Sequence, residues 1–197
     1  MRFIGFYDYT VILTYMSLLS AVLGMVFSAK GMFTAAILCL FFSGFCDAFD
    51  GIVARTKKNR TDDEKAFGIQ IDSLCDAVSF GVFPAVLCYH MGLNSVVSVL
   101  ILMGYCLCAV IRLAFFNVIE GKRQQTEGGC NKTYRGLPVT TISIILPVFY
   151  ITRLFLPLPV FRLLLHVLMA VTAFLFVLDF SMKKPDWTKL FPKKAKA

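Results

Sequence analysis

The chain has 197 residues, of which 58% are hydrophobic and only 16% charged, and it carries a net charge of +8. So apolar a balance, with strongly positive mean hydropathy, lies outside the range of ordinary soluble domains and predicts a polytopic membrane protein. The positive charge needs no nucleic acid to explain it, because basic residues flanking membrane spans serve to set topology.

Six apolar stretches follow one another, at 9–29, 31–54, 68–91, 94–118, 136–155 and 157–180. Each is close to the roughly 20 residues with which a helix crosses about 30 Å of hydrocarbon. The expected fold is therefore an all-α integral membrane protein, with six transmembrane helices around a polar cavity open to the cytoplasm. A membrane domain fills residues 1–182, its first residues forming a short interfacial helix, and a basic tail covers 183–197. The first stretch is read as a retained span, since it exceeds the roughly 7–15 apolar residues of a secretory signal. Seven cysteines (Cys39, Cys46, Cys75, Cys88, Cys106, Cys108 and Cys130) show neither a zinc-type spacing nor a disulfide framework and are expected to be small buried residues.

Charge placement sets the expected orientation. Sixteen of the 20 Lys and Arg lie at Arg2, in 55–65, in 122–135 and in the tail from Lys183. By the positive-inside rule both termini and the second and fourth connections face the cytoplasm of a bacterial or archaeal cell. The tail, with Trp187, Leu190 and Phe191 among its lysines, suits an anionic inner leaflet.

Against this background four acids stand out. Asp47 and Asp50, three residues apart, end the second span; Asp72 and Asp76, four apart, enter the third. Those spacings place each pair on one face of its helix, and two antiparallel neighbours can aim all four carboxylates at one point. An aspartate at the centre of a membrane helix costs roughly 2.5–3.5 kcal/mol, so something must offset the cluster. Two divalent cations, Mg²⁺ or Mn²⁺, would do so, since hard cations favour carboxylate oxygens. A helix-pairing use or a proton or cation relay are the competing readings. Gly51, Ala54 and Gly68 leave room for a ligand beside the acids, which a relay does not need.

Asp47-x-x-Asp50-Gly51-x-x-Ala54-Arg55, followed by Gly68-x-x-x-Asp72-x-x-x-Asp76, resembles the signature of the CDP-alcohol phosphatidyltransferase family. Twelve residues separate Arg55 from Gly68, more than is usual in that family, and are read as a longer cytoplasmic turn. The segments "DSLCDAVSFGVFPA", "IRLAFFNV" and "YRGLPVT" are similar to the family's phosphatidylserine synthase branch. In the first span Thr14 matches the family while Ser17 and Ala21 replace a frequent Asn and Gly, and Phe115 stands where many relatives have a second Arg.

The resemblance implies transfer of a phosphatidyl group from CDP-diacylglycerol to the hydroxyl of L-serine, releasing CMP. It implies that Asp47, Asp50 and Asp72 hold the metals first, and that Asp76, the fourth metal ligand through contact with the second ion, is also the general base. Asp50, Gly51, Ala54, Arg55, Gly68 and Thr14 would line the nucleotide and pyrophosphate site. Arg112, Asn117, Tyr134 and Arg135 are candidates for the serine or lipid-phosphate pocket, with Arg112 expected near the metal-bearing acids. A homodimer embedded among membrane lipids is implied as well. Glycerol 3-phosphate or an inositol phosphate is the alternative acceptor; either would call for a basic cluster at the cavity, which the third span lacks. Pro84, Pro138 and Pro147 are expected to bend or start helices, and His90 and His166 to lie on the opposite side with no chemistry.

Overall fold

The computed structural model describes residues 5, 9, 11–54, 61–125 and 133–183, with the side chains of some of these, including Ala54, Tyr134 and Arg135, outside the description. The expectations placed on the first residues, Arg55, Cys130 and the tail beyond Lys183 fall outside it too.

The described chain forms α1 (Ile12–Ala29), α2 (Phe33–Ala54), α3 (Asp62–Asp76), a π-helical stretch (Ala77–Val82), α4 (Phe83–His90), α5 (Val96–Gln125), α6 (Ile142–Ile151) and α7 (Leu158–Val177). Because α3, the π stretch and α4 run on without a break, they make one rod, and the bundle has six. Five rods are long and apolar enough to cross a membrane; the sixth, α6 with its flanking 3-10 turns at Val139–Leu154, is shorter. The expected all-α membrane bundle is thus the observed one, with one addition. Two three-residue strands, β1 (Thr133–Arg135) and β2 (Ser181–Lys183), pair antiparallel, joining the α5–α6 connection to the segment after α7.

The polarity of α1 is inverted relative to a soluble helix. Its buried residues are Thr14, Ser17, Ala21, Gly24 and Ser28, at the three- and four-residue spacing of one face, while Leu19, Val22, Leu23 and Val26 point outward. Lipid is as apolar as leucine, so helices in a membrane associate through small residues and interhelical hydrogen bonds. The hydroxyls of Ser17 and Ser43 lie 2.7 Å apart, Ser43 donates to the Ser17 carbonyl at 3.0 Å, and Ser20 donates to the Cys39 carbonyl at 2.9 Å. A Cβ at Gly24 would collide with the Phe83 ring, and one at Gly44 with Ser143. These two glycines let α4 approach α1 and α6 approach α2.

Two features correct the sequence-based boundaries. α3 starts at Asp62, not near residue 68, because Thr61 and Glu64 form a reciprocal capping box: the Glu64 amide donates to Thr61 Oγ1 and the Thr61 amide to Glu64 Oε2. The acidic run that reads as a turn is a helix start, favoured there by the helix dipole. At its far end α5 continues to Gln125, seven residues past the expected stop.

The π stretch has a local cause. Pro84, in the first turn of α4, has no N–H to return to the carbonyl of Phe80 four residues earlier. The hydroxyl of Tyr105 on α5 donates to that carbonyl at 2.6 Å, and Cys106 Sγ donates to the Gly81 carbonyl at 3.4 Å. Phe80, Phe83 and Tyr105 are fully buried around this junction. Pro138 precedes a 3-10 turn and Pro147 lies inside α6, so the prolines shape helices as expected. Outside the acid region, His90 Nδ1 and Ser28 Oγ lie 2.7 Å apart, and His166 Nε2 and Ser98 Oγ 2.6 Å apart. The described cysteines are free.

Candidate active site

All four acids meet at one end of the bundle. Asp47 and Asp50 sit in the last two turns of α2, and Asp72 and Asp76 in the last two of α3. Because α3 begins ten residues before Asp72, its first turns extend about 15 Å along the axis beyond that acid.

One carboxylate oxygen from each of Asp47, Asp50 and Asp72 lies within 4.8 Å of the others. Asp76 lies outside this trio; like Asp50 it is buried, and its carboxyl is within hydrogen-bonding reach of Asp47, while that of Asp50 is within reach of Asp72. Among the described residues, the charged groups acting on Asp47, Asp72 and Asp76 are the other acids of the set. Crowding of this kind in a poorly hydrated place requires protons or cations between the carboxylates.

The donor set fits a divalent cation. It consists of hard oxygens, and Asp72 Oδ1 is buried without a hydrogen-bond partner, which leaves it free to ligate. Asp47, Asp50 and Asp72 are the residues that could hold a metal, and Asp76 stands beside them.

Thr14 donates from Oγ1 to Asp50 Oδ2 at 2.9 Å and is itself buried. Thr14 thus supports the carboxylate of Asp50 from α1. A Cβ added to exposed Gly51 would meet nothing within 4 Å, so the backbone there is open to an incoming group. Gly68 is half-buried one turn ahead of Asp72 on the same helix. Ala54 ends α2.

The acceptor candidates separate. Asn117 on α5 reaches α3, where Ser73 donates to its Oδ1 at 2.7 Å, beside Asp72. Ser73 escapes a reading by motif, and its one signal is adjacency to Asp72. Arg112 is turned elsewhere: its Nε donates to the Leu137 carbonyl at 3.3 Å, and the carboxylate whose charge it feels is Asp179, just past α7. The α5–α6 connection folds back against Arg112, a Cβ added at Gly136 lying 3.5 Å from its Nε. Gly136, with φ +73°, makes that turn, and its amide donates to the Phe180 carbonyl at 2.7 Å. Tyr134 and Arg135 belong to β1.

Residues 9–178 match the model of the CDP-alcohol phosphatidyltransferase family. The chain belongs to this family. Among curated family relatives, the archaetidylserine synthase of Methanothermobacter thermautotrophicus is 34% identical over 134 residues, covering 68% of this chain and 53% of the relative. The CDP-diacylglycerol–serine O-phosphatidyltransferase of Saccharomyces cerevisiae is 39% identical over 113 residues (56% and 40%), and the Bacillus subtilis protein of the same name 32% over 120 residues (60% and 61%). The chain thus matches between two fifths and about three fifths of the length of these relatives. No solved structure matches.

Proposed function

We propose that this family member transfers the phosphatidyl group of CDP-diacylglycerol to the hydroxyl of L-serine, giving phosphatidylserine and CMP. The observation that carries the proposal is the meeting of four membrane carboxylates, three of them offering oxygens within 4.8 Å of one another. The names of the relatives favour serine as acceptor and admit either an acyl or an archaeal ether lipid as donor.

In this reading Asp47, Asp50 and Asp72 hold two divalent ions, Mg²⁺ or Mn²⁺. When bound, these supply electrostatic stabilisation of the diphosphate. The chain's own residues do the rest. Gly51, Ala54 and Gly68 let the nucleotide lie close to the backbone of α2 and α3, and Arg55 forks a phosphate oxygen. Asp76 takes the proton from the serine hydroxyl as that oxygen bonds to the phosphatidyl phosphorus. The bond from phosphorus to the CMP oxygen breaks, and CMP leaves with the electron pair. Fixed helices position the reactants, and a carboxylate within reach of the serine hydroxyl serves as general base. Asn117, held by Ser73, lines the acceptor side. Arg112 shapes the neighbouring 136–137 turn, and Tyr134 and Arg135 flank it. The acid-bearing end and both termini face the cytoplasm, and two copies form a homodimer.

The test supplies purified protein in vesicles with CDP-diacylglycerol, Mg²⁺ or Mn²⁺, and one of serine, glycerol 3-phosphate or inositol phosphate. CMP release with serine is the expected result. Release with another acceptor but not with serine would overturn the acceptor, and cation flux without any need for nucleotide lipid would overturn the enzyme.

A further inference from the structure

Every buried Ser or Thr side chain among the described residues has a hydrogen-bond partner except one. Thr14 bonds Asp50, Ser17 pairs with Ser43, Ser28 with His90, and Ser98 with His166. Ser143 and Thr172 turn back to carbonyls three and four residues earlier, the usual refuge of a hydroxyl inside an apolar helix. Ser79 is 0% exposed and its Oγ bonds nothing.

Its position gives this meaning. The two buried side-chain atoms left unpartnered, Asp72 Oδ1 and Ser79 Oγ, lie on one continuous helical run, on either side of Asp76. Ser79 is three residues beyond Asp76 and so within about one turn of it, on the side away from the end where α3 begins. The π stretch that carries it opens directly after Asp76, and single π turns inside α-helices are frequent at functional sites. A buried hydroxyl without a partner is costly, and both orphans flanking the proposed base point to a ligand that completes them.

We infer that Ser79 is the deepest polar contact of the acceptor pocket, its Oγ accepting an N–H from the ammonium group of an amino-acid acceptor whose hydroxyl lies at Asp76. An ammonium is the group that belongs there. The acids gathered around Asp76, one turn before Ser79, attract it, whereas they repel the acceptor's carboxylate, which stays towards the open end. Ser79 would thus select an amino alcohol over an acceptor without nitrogen. The inference rests on the serine-transfer reading above.

The test compares wild type, Ser79→Ala and Ser79→Cys with L-serine and with 3-hydroxypropanoate, which is serine without its amine, measured as substrate or as competitive inhibitor of serine. The expected result is a fall of at least about tenfold in kcat/KM for serine, with the value or inhibition constant for 3-hydroxypropanoate and the KM for CDP-diacylglycerol unchanged. Melting temperature without substrate should hold or rise in Ser79→Ala, because an unpaired hydroxyl is removed. Equal losses for both acceptors together with a lowered melting temperature would assign Ser79 to structure alone and overturn the inference, as would unchanged serine kinetics in both variants. Wild-type protein releasing no CMP with serine would instead fail the underlying reading.

Discussion

Asp76 and Asp72 sit one turn apart on the same helix, yet they are not equivalent. Asp72 contributes to the three-oxygen cluster, while Asp76 stands outside it against Asp47. Asp76→Asn should therefore lower CMP release by about 10²- to 10⁴-fold, the usual worth of a general base, while titrations of Mn²⁺ and of CDP-diacylglycerol still show binding. Near-full turnover in this variant would remove Asp76 from the base role. Thr14 calls for a different expectation. Its hydroxyl holds Asp50 in place, and loss of such a support weakens metal binding by about 10- to 100-fold. Thr14→Val should raise the Mn²⁺ concentration needed for half-maximal turnover by at least about tenfold, with little change in KM for the nucleotide lipid. The reverse pattern would return Thr14 to the nucleotide site. The acids were legible in the sequence because a carboxylate inside an apolar span is rare and expensive. The support from Thr14 was not, since it depends on how α1 faces α2, 36 residues away in the chain.

Among the elements, the run from α3 through α4 shows why boundaries were harder to read than membership. "TDDEK" has the composition of a loop, and only the reciprocal bonds of Thr61 and Glu64 make it a helix start. The π stretch follows from Pro84, which the sequence displays, but its stability depends on Tyr105, which the sequence presents as one more apolar-span aromatic. Tyr105→Phe keeps the ring and removes the donor to the Phe80 carbonyl. It should cost about 1–2 kcal/mol, in the range of hydrogen bonds between membrane helices, read as a lowered midpoint in denaturant titration of the protein in micelles. An unchanged midpoint would mean that the π stretch satisfies its own carbonyls. The β1–β2 ribbon was invisible beforehand, since its pairing joins residues about 50 positions apart and turns on the positive φ of Gly136.

Taken as a whole molecule, the bundle does not present uniform length to its surroundings. The rod at Val139–Leu154 falls short of the others and packs on α2, the helix that bears Asp47 and Asp50. With a rise of about 1.5 Å for its α-helical residues and about 2 Å for its 3-10 residues it reaches only some 27 Å, against roughly 30 Å of hydrocarbon. A bilayer meeting so short a wall thins beside it. Thinning there would pinch the lipid headgroup plane inward and shorten the climb of a two-tailed donor to the carboxylates. Turnover in vesicles of graded acyl length should then peak with shorter chains and decline as the bilayer thickens, whereas a rate indifferent to thickness would show that the donor reaches the site by another path.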